Sequence, residues 1–309
     1  MRILLWHVHG SWTTSFVQGR HEYLLPVVAD RGPDGRGRAQ TWDWPASAIE
    51  VTRDEARRAE VDVVVLQRPA ELDGLAREWL GDRRLPTVYL EHNAPQGRIA
   101  DMRHPAADRD DLVVVHVTHF NELFWDCGST PTHVIEHGVV DPGYRYSGAT
   151  PRAAVVINEA RRRARVTGTD LLERFAAVGV PIDLFGMDAE ALGGEDVPQH
   201  RLHDEMAQRR LYLHPIRWTS LGLSLIEAMH LGMPVVALAT TEAPDAVPAT
   251  AGVLSTRIDR LAQGARDLLA DHERAREAGL AARAAALERF GLQRFLDDWD
   301  DLLEEVVSA

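Results

Sequence analysis

The chain has 309 residues, a formal net charge of −13 and one cysteine, Cys127. That length exceeds what a single core usually organises and predicts two domains of ~150 residues each. The acid excess, with a pI near 5.5, argues against a chain-wide nucleic-acid footprint; the lone cysteine excludes an intrachain disulfide or multi-cysteine zinc site and predicts a reducing, cytoplasmic setting.

The opening MRILLWHVHG has too short an apolar run for a secretory leader and reads as a first strand over residues 2–6. No stretch approaches the ~20 apolar residues of a spanning helix, which leaves a peripheral membrane contact open. Further strand-forming runs lie at 61–66 (VDVVVL), 87–92 (TVYLEH), 112–117 (LVVVHV) and 133–138 (HVIEHG). Helices are expected between them over Gly19 to Ala29, Glu71 to Leu80 and Phe120 to Trp125. The alternation predicts βαβ units around a parallel sheet.

The turn-rich DPGYRYSGATP at 141–151 reads as an interdomain linker. Strands restart at 153–158, 182–186, 211–215, 234–238 and 252–256, which predicts a second doubly wound domain. From about Ile258 the chain is expected to be almost wholly helical. Its last segment places Phe295, Trp299, Leu302 and Val306 in an apolar stripe, as for a terminal helix returning across both domains.

Sites on open α/β sheets lie at the carboxyl ends of strands. In RWTSLGLSLIEAMHLGMPVVAL, residues 217–238, Pro215 closes the preceding strand, Thr219 or Ser220 is expected to cap the next helix, and Gly222 allows close approach at its first turn. The free amides there suit a phosphate or diphosphate. Glu227 sits too far along to serve the helix dipole, and its carboxylate can accept two hydrogen bonds from the vicinal hydroxyls of a ribose. The paired histidines His7 and His9, His116 and His119, and His133 and His137 lack a carboxylate at fixed spacing and any HExxH, so no catalytic metal is expected.

GLSLIEAMHLGMPVVA, residues 222 onward with Leu221 before it, resembles the donor-site helix of the retaining family-4 glycosyltransferases of GT-B fold. In that family a glutamate, seven residues and a second glutamate precede an AM…G.PVVA run; Glu227 matches the second, ribose-holding glutamate, and the first falls on Thr219. INEARRRARVTGTDLL, residues 157–172, stands where the family has Gly-Arg-Leu followed by Lys-Gly, with Thr167 at the lysine position. Cations are needed there because the leaving nucleoside diphosphate gains negative charge, and Arg161, Arg162, Arg163 and Arg165 supply them. VIEHGVVDPG at 134–143 resembles the family's IPNGVD, TTEAPDAV at 240–247 occupies its GG.PE turn, and LFGMD at 184–188 places Gly186 in a loop that approaches the nucleobase. His92, at the end of YLEH, falls on the family's cleft histidine near the donor sugar.

The resemblance implies two Rossmann-like domains facing a central cleft: residues 1–145 on the acceptor side, 146–290 holding the nucleotide sugar, and a helix over 291–309 crossing back. It implies a metal-independent, bacterial-type cytoplasmic hexosyltransferase that retains anomeric configuration, without cofactor. His92, Arg162 and Arg165 carry catalytic roles. Gly10, Ser11, Arg161, Arg163, Gly186, Thr219, Ser220, Leu221, Gly222, Leu223 and Glu227 hold the donor. His9, Trp12, Asn93 and His119 face a small-molecule, glycan or lipid-linked acceptor. Two other readings stay open: a nucleotide-sugar epimerase or hydrolase of the same fold, and a non-catalytic sugar-nucleotide-binding module. A nicotinamide-dependent oxidoreductase is disfavoured, because no GxGxxG comes after a strand.

Overall fold

A computed structural model describes residues 1–309. The chain divides into two compact units, Met1–Val140 with Leu292–Ala309, and Asp141–Gly291.

The first unit runs β1 (Arg2–Leu5), α1 (Gly10–Phe16), β2 (Glu22–Pro26), β3 (Ala48–Val51), α2 (Arg53–Arg58), β4 (Val63–Leu66), α3 (Ala76–Leu80), β5 (Thr87–Glu91), β6 (Val113–His116), α4 (His119–Phe124) and β7 (Thr132–Val134). All seven strands pair in parallel in the order β3-β2-β1-β4-β5-β6-β7. Runs such as VVVL in β4 are buried throughout, as strands covered on both faces require.

Three sequence expectations fail here. Residues 19–29 do not form a helix: Glu22–Pro26 is β2, in register with β1 through Arg2↔Glu22 and Leu4↔Leu24. Tyr23, Leu24 and Leu25 are all buried, and the pairing that buries both faces overrides a short apolar run that local pattern cannot assign. Gly10 and Ser11 lie in a helix, α1, rather than a loop. Its GSWTTSF sequence is a poor helix former, but it buries Trp12 and Phe16 and takes a side-chain bond from Thr13 Oγ1 to the His9 carbonyl at 2.8 Å. The run at 133–138 is a strand only at its start, since β7 ends at Val134.

The second unit runs β8 (Thr150–Val156), α5 (Ala160–Arg163), α6 (Thr169–Ala177), β9 (Ile182–Phe185), α7 (Gln199–Gln208), β10 (Arg209–His214), α8 (Leu223–Leu231), β11 (Val235–Leu238), α9 (Ala243–Ala246), β12 (Gly252–Ser255), α10 (Ile258–Ala270) and α11 (His272–Arg289). Its parallel order is β12-β11-β10-β8-β9. Its core gathers Val155, Phe175, Leu184, Leu213, Val236 and Leu261.

The last helix, α12 (Leu292–Ser308), belongs to the first unit and carries a strongly one-sided apolar face. Phe295, Trp299, Leu302 and Leu303 are buried, whereas Val306 is half-buried. Trp299 lies edge-on to Trp12 (5.6 Å between centroids) and to Phe16 (5.0 Å), and His21 and Arg20 meet Asp300 at 2.8 Å each. Replacing Trp299 by alanine removes the keystone of this aromatic cluster. A loss of about 3–5 kcal/mol in unfolding free energy is expected in urea titration, and a loss below about 1 kcal/mol would show that α12 contributes little to the unit.

Candidate active site

In each sheet, strand order reverses at one place, and ligands of open α/β sheets bind outside the carboxyl ends of strands at such a reversal. In the second unit it falls between β8 and β10. The loop after β8 holds the arginine run and the loop after β10 leads into α8.

The two loops are knit together. Gly168 adopts a left-handed φ of +73°, and a β-carbon there would lie 1.9 Å from the Pro215 carbonyl oxygen, so only glycine allows the approach. The amides of Arg217 and Trp218 donate to the Val166 carbonyl at 2.9 and 3.2 Å. Arg217 donates to the Arg165 carbonyl at 2.8 Å and to Asp170 Oδ2 at 2.9 Å. Thr167, at the position of the family's lysine, is buried and bonds Ala164 and Thr169.

This packing sorts the arginines. Arg162 is bidentate on Glu159, with one bond of 2.8 Å. Arg165 meets Asp170 at 3.0 Å, and Arg161 donates to the Ala191 carbonyl at 3.1 Å. Arg162 and Arg165, expected to serve a diphosphate, are therefore held by Glu159 before α5 and by Asp170 in α6, and Asp170 also holds Arg217. Arg163 makes no ion pair or side-chain hydrogen bond and is half-buried. Burial, and then the neighbouring Arg162, lower its pKa, so an anion arriving there would relieve an unpaired charge.

Helix α8 starts at Leu223 with Gly222 as its cap and no side-chain cap bond. Thr219 and Ser220 thus lie before the helix in the loop, contrary to the expected capping role; Thr219 is half-buried, and Ser220 and Leu221 are buried. The amides of Gly222, Leu223 and Ser224 donate to no acceptor of the chain, which leaves an anion site at a positive helix end. Gly222 sits close to His214: a β-carbon there would lie 3.0 Å from His214 Cε1, so the imidazole would have to shift slightly to admit one. Glu227 is buried, not an exposed helix edge. Its Oε2 lies 3.4 Å from His203 Nε2 on α7, a partner that sequence reading missed, and its Oε1 carries no hydrogen bond. Gly186 comes directly after β9, and Met187 beside it is exposed.

In the first unit the reversal falls between β1 and β4. Gln67, just after β4, donates from Nε2 to the Trp6 carbonyl at 2.7 Å and accepts from His92 Nε2 at 2.9 Å. His9, after β1, stands with its ring 4.0 Å from that of His92. Glu71 accepts from the amides of Gln67 (2.6 Å) and Arg68 (3.2 Å). Asn93 donates to Glu91 at 2.7 Å through its amide, and Glu91 accepts from His104 at 3.1 Å. Sequence reading passed over Gln67; a polar residue ending the apolar run VVVL was the available signal.

One acceptor-side expectation changes. Trp12 has 0% exposure and belongs to the aromatic core with Phe16, Phe295 and Trp299, so it lines no binding surface. His119 opens α4 with a side chain 67% exposed, 3.9 Å from Glu122. Asn93 is exposed, and His9, Gly10 and Ser11 are half-buried. No group of three His, Cys, Asp or Glu side chains is arranged to hold a metal ion.

Residues 194–285 match the family model described as Glycosyl transferases group 1. Among solved structures, the chain is similar to a sucrose-phosphate synthase from Thermosynechococcus elongatus (13% identity, 99% of each chain, TM-score 0.74). It is also similar to Anabaena HepE in complex with UDP-glucose (16% identity, 99% of this chain and 100% of that chain, TM-score 0.71). A TarM variant of S. aureus in complex with fondaparinux, alpha-GlcNAc-glycerol and UDP aligns over 78% of this chain and 55% of its own (14% identity, TM-score 0.65). No curated protein matches by sequence. The fold is GT-B, and with the matched segment it classes the chain as a glycosyltransferase.

Burial holds several imidazoles neutral: His214 is pushed down to about 4, His137 and His116 to about 3, and His92 well below its ordinary value. Unfolded, each would titrate near about 6.5. Their stabilising contribution is thus fully present above about pH 6.5 and is lost as pH falls toward about 4, by up to about 1.4 kcal/mol per histidine per pH unit. The urea midpoint is expected to drop markedly from about pH 7.5 to about pH 5, and an unchanged midpoint would show these imidazoles accept protons in the folded chain.

Proposed function

We propose that the chain transfers a hexose from a nucleoside diphosphate sugar to an acceptor hydroxyl, with retention of anomeric configuration and without an essential metal. The observation that carries this reading is one helix: unfilled amides at Gly222, Leu223 and Ser224 with a buried carboxylate, Glu227, further along the same element. A diphosphate fits the first and a ribose hydroxyl pair the second. Arg163, at the neighbouring strand end, supplies the cation. UDP and UDP-glucose in HepE agree with this class of donor.

In the reaction, the bond from the anomeric carbon to the diphosphate oxygen breaks while the acceptor oxygen bonds to the same face. The acceptor proton passes to the departing phosphate oxygen. Charge growing on that phosphate is met by the α8 amides and Arg163, preorganised and unpaired in the chain. The strand-end loops of the first unit, with His9, His92, Asn93 and His119, supply polar groups for the acceptor. Retention and the hexose rest on the resemblance of residues 222–237 to the family-4 donor helix. No helix of the chain is long and apolar enough to cross a membrane, and a glycan, small-molecule or lipid-linked acceptor all fit this reading.

Two substitutions test the donor site. Glu227→Gln keeps volume but loses charge-assisted bonds to ribose, and should weaken nucleoside diphosphate binding by about 1.5–3 kcal/mol in calorimetry. Unchanged affinity would remove the ribose assignment. Arg163→Ala should lower turnover by roughly 10²–10³-fold, whereas Arg162→Ala, whose guanidinium already serves Glu159, should stay within a few-fold of the parent. Equal effects of the two would contradict the sorting of the arginines. Activity should survive EDTA, and loss restored by magnesium or manganese would overturn metal independence.

A further inference from the structure

The stretch from Val27 to Ser47, which joins β2 to β3, holds neither helix nor strand apart from one isolated bridge between Val27 and Arg36. Irregular connections of this length are uncommon in a compact domain and are usually either disordered or binding loops. This one is fixed by side chains. Trp6 Nε1 donates to the Asp34 carbonyl at 3.2 Å, and Glu50 accepts from the Arg31 guanidinium at 2.7 Å and from the Arg38 amide at 2.8 Å. The Arg38 guanidinium holds the carbonyls of Trp44 (2.6 Å) and Pro45 (2.9 Å), and the buried Trp44 donates its indole N–H to Thr14 of α1 at 2.8 Å.

The loop brings a second indole to the start of α1. Trp42 is half-buried, and the place that a β-carbon of Gly10 would take lies 3.4 Å from Trp42 Nε1 and 3.8 Å from His7 Nε2. No Asp, Glu, Lys or Arg side chain comes within 4 Å of that point. His7 Nδ1 lies 3.0 Å from the Gly37 carbonyl oxygen, which can only accept, so Nδ1 carries the proton and Nε2 the lone pair. Burial lowers the His7 pKa and keeps the ring neutral. Neither Trp42 Nε1 nor His7 Nε2 bonds to any group of the chain, and both are open to solvent. One donor and one acceptor thus flank a gap that the absent side chain of Gly10 leaves. A hydroxyl there donates to Nε2 and accepts from Nε1–H at once, whereas an anion would meet a lone pair and a cation an N–H. None of these groups comes from β4 or β5, whose ends carry Gln67 and His92.

We propose that Trp42 and His7 form a saccharide subsite of the first unit: one hydroxyl of a neutral sugar fills the gap over Gly10, bridging Trp42 Nε1–H and His7 Nε2, while ring carbons lie against the indole. Gly10, expected on the donor side, serves here by the space it leaves. Within the glycosyl-transfer reading, on which this role rests, the bound sugar belongs to the acceptor and narrows it to a saccharide. The subsite itself does not depend on that reading.

The test uses the full chain labelled with fluorotryptophan, Trp42 being assigned by the fluorine signal lost in Trp42→Phe. Methyl glycosides of glucose, galactose, mannose and N-acetylglucosamine are titrated to about 100 mM with no donor present. At least one should move the Trp42 signal saturably, and glycerol, which has hydroxyls but no ring, should not. Tighter binding of octyl than of methyl glucoside would point to a lipid-linked sugar and equal binding to a free one; either supports the subsite. Gly10 opens α1 without a positive φ, and the methyl of Gly10→Ala meets only ordinary contacts at 3.4 and 3.8 Å, so the urea midpoint should stay at or above that of the parent. That methyl fills the gap, and saturable glycoside binding should be lost. His7→Asn, whose amide keeps the bond to Gly37 but leaves no atom in place of Nε2, should weaken binding about tenfold. An unmoved Trp42 signal with every glycoside, an equal response to glycerol, or parental binding by Gly10→Ala would overturn the subsite. Transfer to the bound glycoside is then measured from UDP-, GDP- and dTDP-glucose, and Trp42→Ala should raise the glycoside KM about tenfold with the donor KM unchanged. A glycoside held at Trp42 but glycosylated from none of the donors would overturn the acceptor role and leave the subsite. A glycoside that is glycosylated without moving the Trp42 signal would overturn the subsite and leave the transferase reading.

Discussion

The close approach of Gly168 to the Pro215 carbonyl is the contact on which the joined loops after β8 and β10 depend. Two loops at the ends of β8 and β10 would otherwise part, since backbone pairing between the strands does not extend into their loops. With the approach made, Val166 accepts from two amides of the next loop, and Arg217 closes over Arg165 and Asp170. The same closure consumes positive charge. Arg162 and Arg165 are paired with Glu159 and Asp170 close by in the chain. Of the basic run in the sequence, Arg163 is therefore left as the guanidinium with no ion pair or side-chain hydrogen bond.

The first unit solves a different problem, which is to hold imidazoles at a strand end without charging them. Burial does this for His92 and His137, and neighbouring imidazoles reinforce it. Hydrogen bonding then fixes orientation, through Gln67 for His92 and through Glu91 for the Asn93 turn. The aromatic cluster of Trp12, Phe16, Phe295 and Trp299 backs the same region. Trp12 is thus a wall behind His92 and not a surface for ligand.

Legibility in the sequence tracked burial and pairing. Parallel central strands announced themselves because burial on both faces selects unbroken β-branched runs, as in VVVL and VVVH. Strand β2 did not, since EYLLP carries no such run and its pairing with β1 is a tertiary choice. The loop over 27–47 showed no pattern because it is held by side chains reaching backbone: Arg38 donates to the carbonyls of Trp44, Pro45 and Ala48, and the Trp44 indole to Thr14. Glu227 stood out because a carboxylate in an apolar helix has few structural excuses. The fate of each arginine stayed hidden, because Asp170 serves both Arg165 and Arg217 only after the loops meet.

The most direct measurement is hydrogen exchange of the full chain with and without a saturating nucleoside diphosphate, tried as UDP, GDP and dTDP. Binding at the β8/β10 reversal should slow exchange in peptides covering 158–168 and 217–227, where amides of Gly222, Leu223 and Ser224 gain an acceptor. Peptides of β12 and α10, away from that reversal, should exchange as before. Saturable binding of any of the three with protection absent from both loops would contradict a nucleotide site at this place in the fold.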